Sequence, residues 1–181
     1  ASFSYLQRDK TGAAWRLCVA QFCAYCTFFG FICNYQIYLQ ARFGFSGSHS
    51  AAFVSAFGAF SFVTKCSIGP LRRCFSERSL VRAAFVAFAA GSLLAAAAQS
   101  AIPLLAAAFF MAFGLIAPPV LASVAAASAS ETEHGAVQSL LFAFGALAEG
   151  VGPLVLGLLL DASAGSEWPG APFAGFTAVS V

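Results

Sequence analysis

From Ala83 to Ser130 the chain carries no charged residue. A water-soluble domain cannot build a surface from such a run, because soluble folds place charged and polar groups outward. The hydrocarbon core of a bilayer, about 30 Å thick, is crossed by a helix of roughly 20 apolar residues. The run is long enough for two crossings, with Gln99, Ser100 and Pro103 marking a short connection between them. Composition agrees: 60% of residues are hydrophobic and 9% charged, where a soluble domain has about 25% charged.

The remaining chain divides in the same way. Residues 1–14 are a polar N-terminal segment holding Arg8, Asp9 and Lys10, without the pattern of a signal peptide. Residues 15–181 are expected to form one transmembrane helical bundle, with spans at about 15–40, 51–69, 80–98, 104–127 and 136–160. Gly69 to Arg78 is expected to form a tight basic turn, and Pro118-Pro119 to kink the fourth span. An acidic turn at 128–134 places Glu131 and Glu133 at the start of the next helix, where its dipole favours them. The last apolar stretch, 173–181, covers only about 13 Å of the core and is expected to be the truncated start of a sixth span. The fold class is therefore all-α and integral to a membrane, multi-pass, with five complete spans and part of a sixth.

The stretch Gly135–Asp161 is the most patterned of these spans. At 3.6 residues per turn, one arc gathers Gln138, Gly145, Glu149, Gly150, Gly152, Pro153 and Gly157. The opposite arc gathers bulky residues, among them Leu140, Phe144, Leu147 and Leu158. In lipid, small residues let helix backbones approach and bulky ones can face acyl chains. Gly145, Gly150, Gly152, Pro153 and Gly157 are thus expected at helix contacts. Glu149 lies on the small-residue arc near mid-span, and a carboxylate there is costly and tends to be functional. In the first span Gln21, Tyr25, Tyr35 and Gln36 share an arc. With Glu149 and Gln138 they are the candidate lining of a solute or proton path. The alternative is interhelical hydrogen bonding, worth about 0.6 kcal/mol on average per contact.

Several function classes are excluded. A net charge of +2 is too small to argue for nucleic acid. The six cysteines include only one C-x-x-C pair, Cys23 and Cys26, and His49 and His134 fall in separate loops, so no metal or other cofactor is called for. Ser46 lacks the second glycine of a nucleophile elbow. No nucleophile–base pair stands out, and no enzyme is expected.

Taken together these residues resemble the major facilitator superfamily. The basic turn Gly69-Pro-Leu-Arg72-Arg73-Cys-Phe-Ser-Glu77-Arg78 is similar to the loop between the second and third helices of one half of such a transporter. Ser76 stands where that motif has glycine. Gly135-Ala-Val-Gln138, Gly145 and Gly152-Pro153 followed by Gly157 resemble the eleventh helix of the tetracycline-antiporter-like branch, particularly its hippocampus-abundant-transcript-like members. Tyr38-Leu-Gln with Phe43-Gly-Phe-Ser46 is similar to the end of the seventh helix there. The resemblance implies the C-terminal six-helix half of a secondary transporter that moves a small solute by alternating access, with proton coupling as one option. Gly69, Arg72, Arg73, Glu77 and Arg78 would be its cytoplasmic loop motif. It also implies a second six-helix half, in the same or another chain, with lipid around both. The alternative is a transporter-like structural subunit of a larger membrane complex that transports nothing.

Orientation follows from the basic residues. With the N-terminus on the cytoplasmic or equivalent side, eight lie inside, namely Arg8, Lys10, Arg16, Lys65, Arg72, Arg73, Arg78 and Arg82, and only Arg42 lies outside. Cysteine-accessibility labelling should therefore reach Cys74 and an Arg42→Cys variant from opposite sides. Labelling of both from one side would refute the orientation.

Overall fold

The computed structural model describes residues 13–130, 133–163, 165–166 and 170–180. The N-terminal stretch through residue 12, with Arg8 and Lys10, lies outside the described residues, as do Glu131 and Val181. Among the described residues the regular structure is all α-helix: α1 (Ala13–Phe43), α2 (Gly47–Cys66), α3 (Ile68–Cys74), α4 (Glu77–Ala97), α5 (Ala101–Gly114), α6 (Ala117–Ser128), α7 (His134–Ser163) and α8 (Ala171–Ser180). Four stretches are long and apolar enough to cross a membrane: α1, α4, α5 with α6, and α7. The α2–α3 pair, bent by 44°, makes a fifth when taken as one broken span. The ten residues of α8 rise about 15 Å, half a bilayer core.

Local chemistry explains the boundaries. After α1 the chain enters the left-handed region at Gly44, φ 63°. The Gly44 and Phe45 amides bond back to the Gln40 and Leu39 carbonyls, so the last turn closes on a glycine as helix ends commonly do. Ser46 and Ser76 begin α2 and α4 as N-caps, their hydroxyls accepting from the His49 and Ser79 amides. The fourth span is broken at Leu115–Ile116. Pro118 and Pro119 have no N–H to offer the carbonyls four residues back, those of Gly114 and Leu115, so the α-helical ladder lapses there.

The segment expected as a tight basic turn is different in the structure. Residues 69–74 belong to α3, and the turn proper is Phe75–Ser76. Gly69-Pro70 reads as a breaker in sequence. Yet Pro70 sits in the first turn of α3, where the missing N–H has no helical partner to lose. The bend falls before it, at Ser67, whose amide bonds to the Val63 and Thr64 carbonyls.

Two helix pairs make most of the bundle, α1 along α7 and α4 along α5, with α8 against α4. Both pairs close through glycine. A Cβ at Gly152 of α7 would sit 2.4 Å from the Cys26 carbonyl oxygen of α1. One at Gly114 would sit 2.5 Å from the Phe88 ring, and one at Gly170 would sit 2.2 Å from the Ala96 carbonyl oxygen. Asn34 of α1 adds a polar tie, donating from Nδ2 to the Pro153 carbonyl at 2.9 Å and to the Gly30 carbonyl at 3.0 Å. Aromatic rings join α1, α2 and α8 toward the far end: Tyr35 meets Phe31 at 4.6 Å and Phe53 at 4.9 Å, and Tyr38 meets Phe173 at 4.9 Å.

The helical wheel of α7 needs two corrections. Gly150 is exposed, with open space where its Cβ would be. Leu140 is buried, in a small cluster with Cys18, Ala125, Val137 and Leu141. The axis of burial is turned toward one edge of the small-residue arc, because α1 takes the Gly145–Gly152 edge and leaves the Gly150 side uncovered. Leu147, Leu154 and Leu158 are exposed.

The packing sets an expected order of damage. Gly152→Leu should destabilise the purified protein by about 1–3 kcal/mol or more, since a backbone carbonyl must move. Leu158→Ala, at an exposed site, should stay within about 0.5 kcal/mol. Thermal unfolding in detergent checks this, and equal effects would refute the seam.

Candidate functional site

All six expected path residues lie on α1 or α7, but they do not all converge. Gln21 is buried, and its Oε1 has no hydrogen-bond partner. Tyr25 follows one turn later on the same face of α1. Its ring lies 3.5 Å from the position of a Cβ on Gly145, and Phe29 stacks on it at 5.6 Å. Glu149 lies within electrostatic reach of the Tyr25 phenol. The Glu149 side chain, expected on the small-residue arc near mid-span, is exposed rather than enclosed within the described residues. Gln138 donates from Nε2 to the Ala122 carbonyl at 3.0 Å, tying α7 to α6.

Tyr35 and Gln36 stand apart from this group. Tyr35 is buried among Phe31 and Phe53, with its hydroxyl unpaired. Gln36 is exposed on the other side of the helix. A wheel puts neighbouring residues 100° apart, and the boundary of the aromatic core falls between these two.

Clefts open beside both ends of α1. One, of about 550 Å³, lies between the ends of α1 and α7 and presents Asn34, Tyr38, Arg42, Gly157 and Asp161. Another, of about 910 Å³, lies between the starts of α1 and α4.

The loop motif forms a contact at the opposite end from Arg42. Arg72 at the end of α3 pairs with Glu77 at the start of α4. The same guanidinium donates to Ser123 Oγ of α6 at 2.9 Å, and that hydroxyl is 3.4 Å from Glu77 Oε1. Three elements are thereby fixed at one point. Arg73 and Arg78 are exposed, and Gly69 meets nothing within 4 Å of its Cβ position. Ser123 was not singled out in sequence, where it is one serine in an alanine-rich stretch. Asn34 likewise gave no sign of its partner. Among the described residues no group of His, Cys, Asp and Glu is arranged to hold a metal ion.

A helical bundle of apolar spans, sealed by glycine contacts and carrying a basic loop at one end, is a multi-pass integral membrane protein. Residues 17–181 match the family described as Major Facilitator Superfamily. The chain belongs to that family, and its fold is half of the family's bundle. Members are membrane transporters rather than enzymes. No curated protein and no solved structure matches the chain.

The Arg72–Glu77 pair is partly exposed, so its worth to stability should be small. A double-mutant cycle with Arg72→Gln and Glu77→Gln should give a coupling of about 0.2–1 kcal/mol, shrinking with added salt. A coupling that is large and insensitive to salt would refute this.

Proposed function

We propose that the chain is the C-terminal half of a secondary active transporter of the tetracycline-antiporter-like branch. It moves a small solute by alternating access and couples that movement to protons through Glu149. The second six-helix half, in the same or another chain, covers the open side of α7.

The observation that carries this reading is the setting of Glu149. It lies midway along a 30-residue apolar helix and is exposed, with exposed Ala146 and Gly150 beside it. A carboxylate at that depth is costly against acyl chains and belongs against protein or in a water-filled cavity. Small neighbours suit the approach of another helix. Transporters of this architecture hold solute between repeats near the midplane, and the Gln21, Tyr25 and Glu149 group lies at that depth. The Arg72–Glu77–Ser123 contact would steady the cytoplasmic end while the halves rock.

The test is solute flux against pH for the full-length protein in proteoliposomes. Glu149→Gln should abolish pH-driven accumulation and leave downhill exchange, and Glu149→Asp should retain part of the coupling. Unchanged coupling in Glu149→Gln removes Glu149 from the mechanism. Absence of flux in the wild type with a panel of drug-like, sugar and organic-anion solutes would favour the structural-subunit reading.

A further inference from the structure

The cleft between the starts of α1 and α4 has a composition that suits neither water nor a purely apolar partner. Its volume is about 910 Å³, and its walls are apolar apart from Arg16 and Arg82. Arg16 lies in the first turn of α1 and Arg82 in the second turn of α4. Both helices begin on the side where the basic residues gather, so the two guanidiniums mark the mouth of the cleft at that membrane boundary. From there Val19 and Cys23 of α1 and Val86 and Ala89 of α4 continue the walls inward. Seven residues of helix beyond each arginine rise about 10 Å. Trp15 lines the mouth, exposed and edge-on to Phe144 at 5.5 Å, a placement typical of tryptophan at the headgroup level.

Neither arginine has an ion-pair partner among the described residues, in contrast to Arg72. A second, smaller cleft of about 420 Å³ shares Arg16 and Arg82 and adds Arg78 and Glu77. Glu77 is already paired with Arg72. Two cations unpaired among the described residues, Arg16 and Arg82, thus stand over an apolar trough, with Arg78 on the adjoining cleft.

We propose that this cleft binds an anionic glycerophospholipid of the surrounding leaflet. Arg16 and Arg82 take the phosphate and headgroup charge, and an acyl chain lies along Val19, Cys23, Val86 and Ala89. Charge complementarity selects this occupant. A zwitterionic lipid would bring a cationic group beside its phosphate to the two arginines, and an apolar helix would leave them unanswered. Basic pockets between transmembrane helices on the cytoplasmic side are suited to anionic headgroups.

The experiment is native mass spectrometry of the full-length protein, delipidated in detergent and titrated with phosphatidylglycerol or phosphatidylcholine of matched chains. Phosphatidylglycerol should bind first and with higher apparent affinity. Arg16→Gln and Arg82→Gln should each weaken it about fivefold and the double variant about 25-fold. Arg73→Gln, at an exposed position away from the cleft, should change it less than twofold. Equal binding of the two lipids by the wild type, or a double variant that binds like the wild type, would overturn the proposal. If the double variant fails to fold, the wild-type lipid preference still decides. Photo-crosslinking from a Val86→Cys label in vesicles adds an independent check. Crosslinks to the tails of phosphatidylglycerol support the site, and crosslinks to another protein segment alone overturn it.

Discussion

Between α1 and α7 the Cys26 carbonyl oxygen occupies the place where a side chain on residue 152 would begin. In lipid there is no hydrophobic drive to bring two apolar helices together, since acyl chains serve them as well as each other. Close packing and hydrogen bonds have to do it, and both are present along this seam. The glycine lets the backbones approach, and Asn34 then reaches the Pro153 carbonyl. A proline inside a helix leaves the carbonyl four residues back without its donor, here that of Glu149. The seam therefore crosses α7 beside its weakest point, and it sets the position of Glu149 relative to Tyr25.

The second helix pair uses the same device with a different consequence. Phe88 is fully buried against Gly114, and Gly91 lies under Ala107 and Met111. This contact comes just before the lapse in the helical ladder at Leu115–Ile116. Beyond it α6 meets α7 through Gln138 and α3–α4 through Ser123. The prolines and the glycine contact together let one span serve both helix pairs.

Much of this architecture was legible in the sequence, because it follows from length, charge and period. The uncharged run from Ala83 to Ser130 required spans, and the wheel placed Gly145, Gly152 and Gly157 on one arc. What escaped depended on a neighbour's identity. Gly150 shares that arc, but α1 covers only one edge of it, and a wheel cannot say how much of an arc is used. Gly69-Pro70 carried the signal of a turn, which a short helix beginning just before them also satisfies. Tyr35 and Gln36 looked like one polar group, yet the aromatic core includes one and excludes the other. Asn34 and Ser123 were visible as polar residues, but their partners lie 119 and 51 residues away, beyond any local pattern. The depth of Glu149 could be read, whereas its exposure depended on which helices this half contains.

That exposure limits how the open side of α7 can be satisfied. Glu149 is 14 or 15 residues from either end of α7, about 21 Å of rise. Long basic side chains near helix ends escape to the interface by snorkelling, and a glutamate at mid-span is far too short to do so. It has to be met where it stands, by water or by polar protein on the uncovered side of α7. Under the proposed transport reading a second half would close over Ala146 and Gly150 in one state and would admit water to the carboxyl from one side of the membrane in the other. The small residues around Glu149 would suit both states, since they allow a facing helix to come close and leave no bulky side chain in the way when it withdraws.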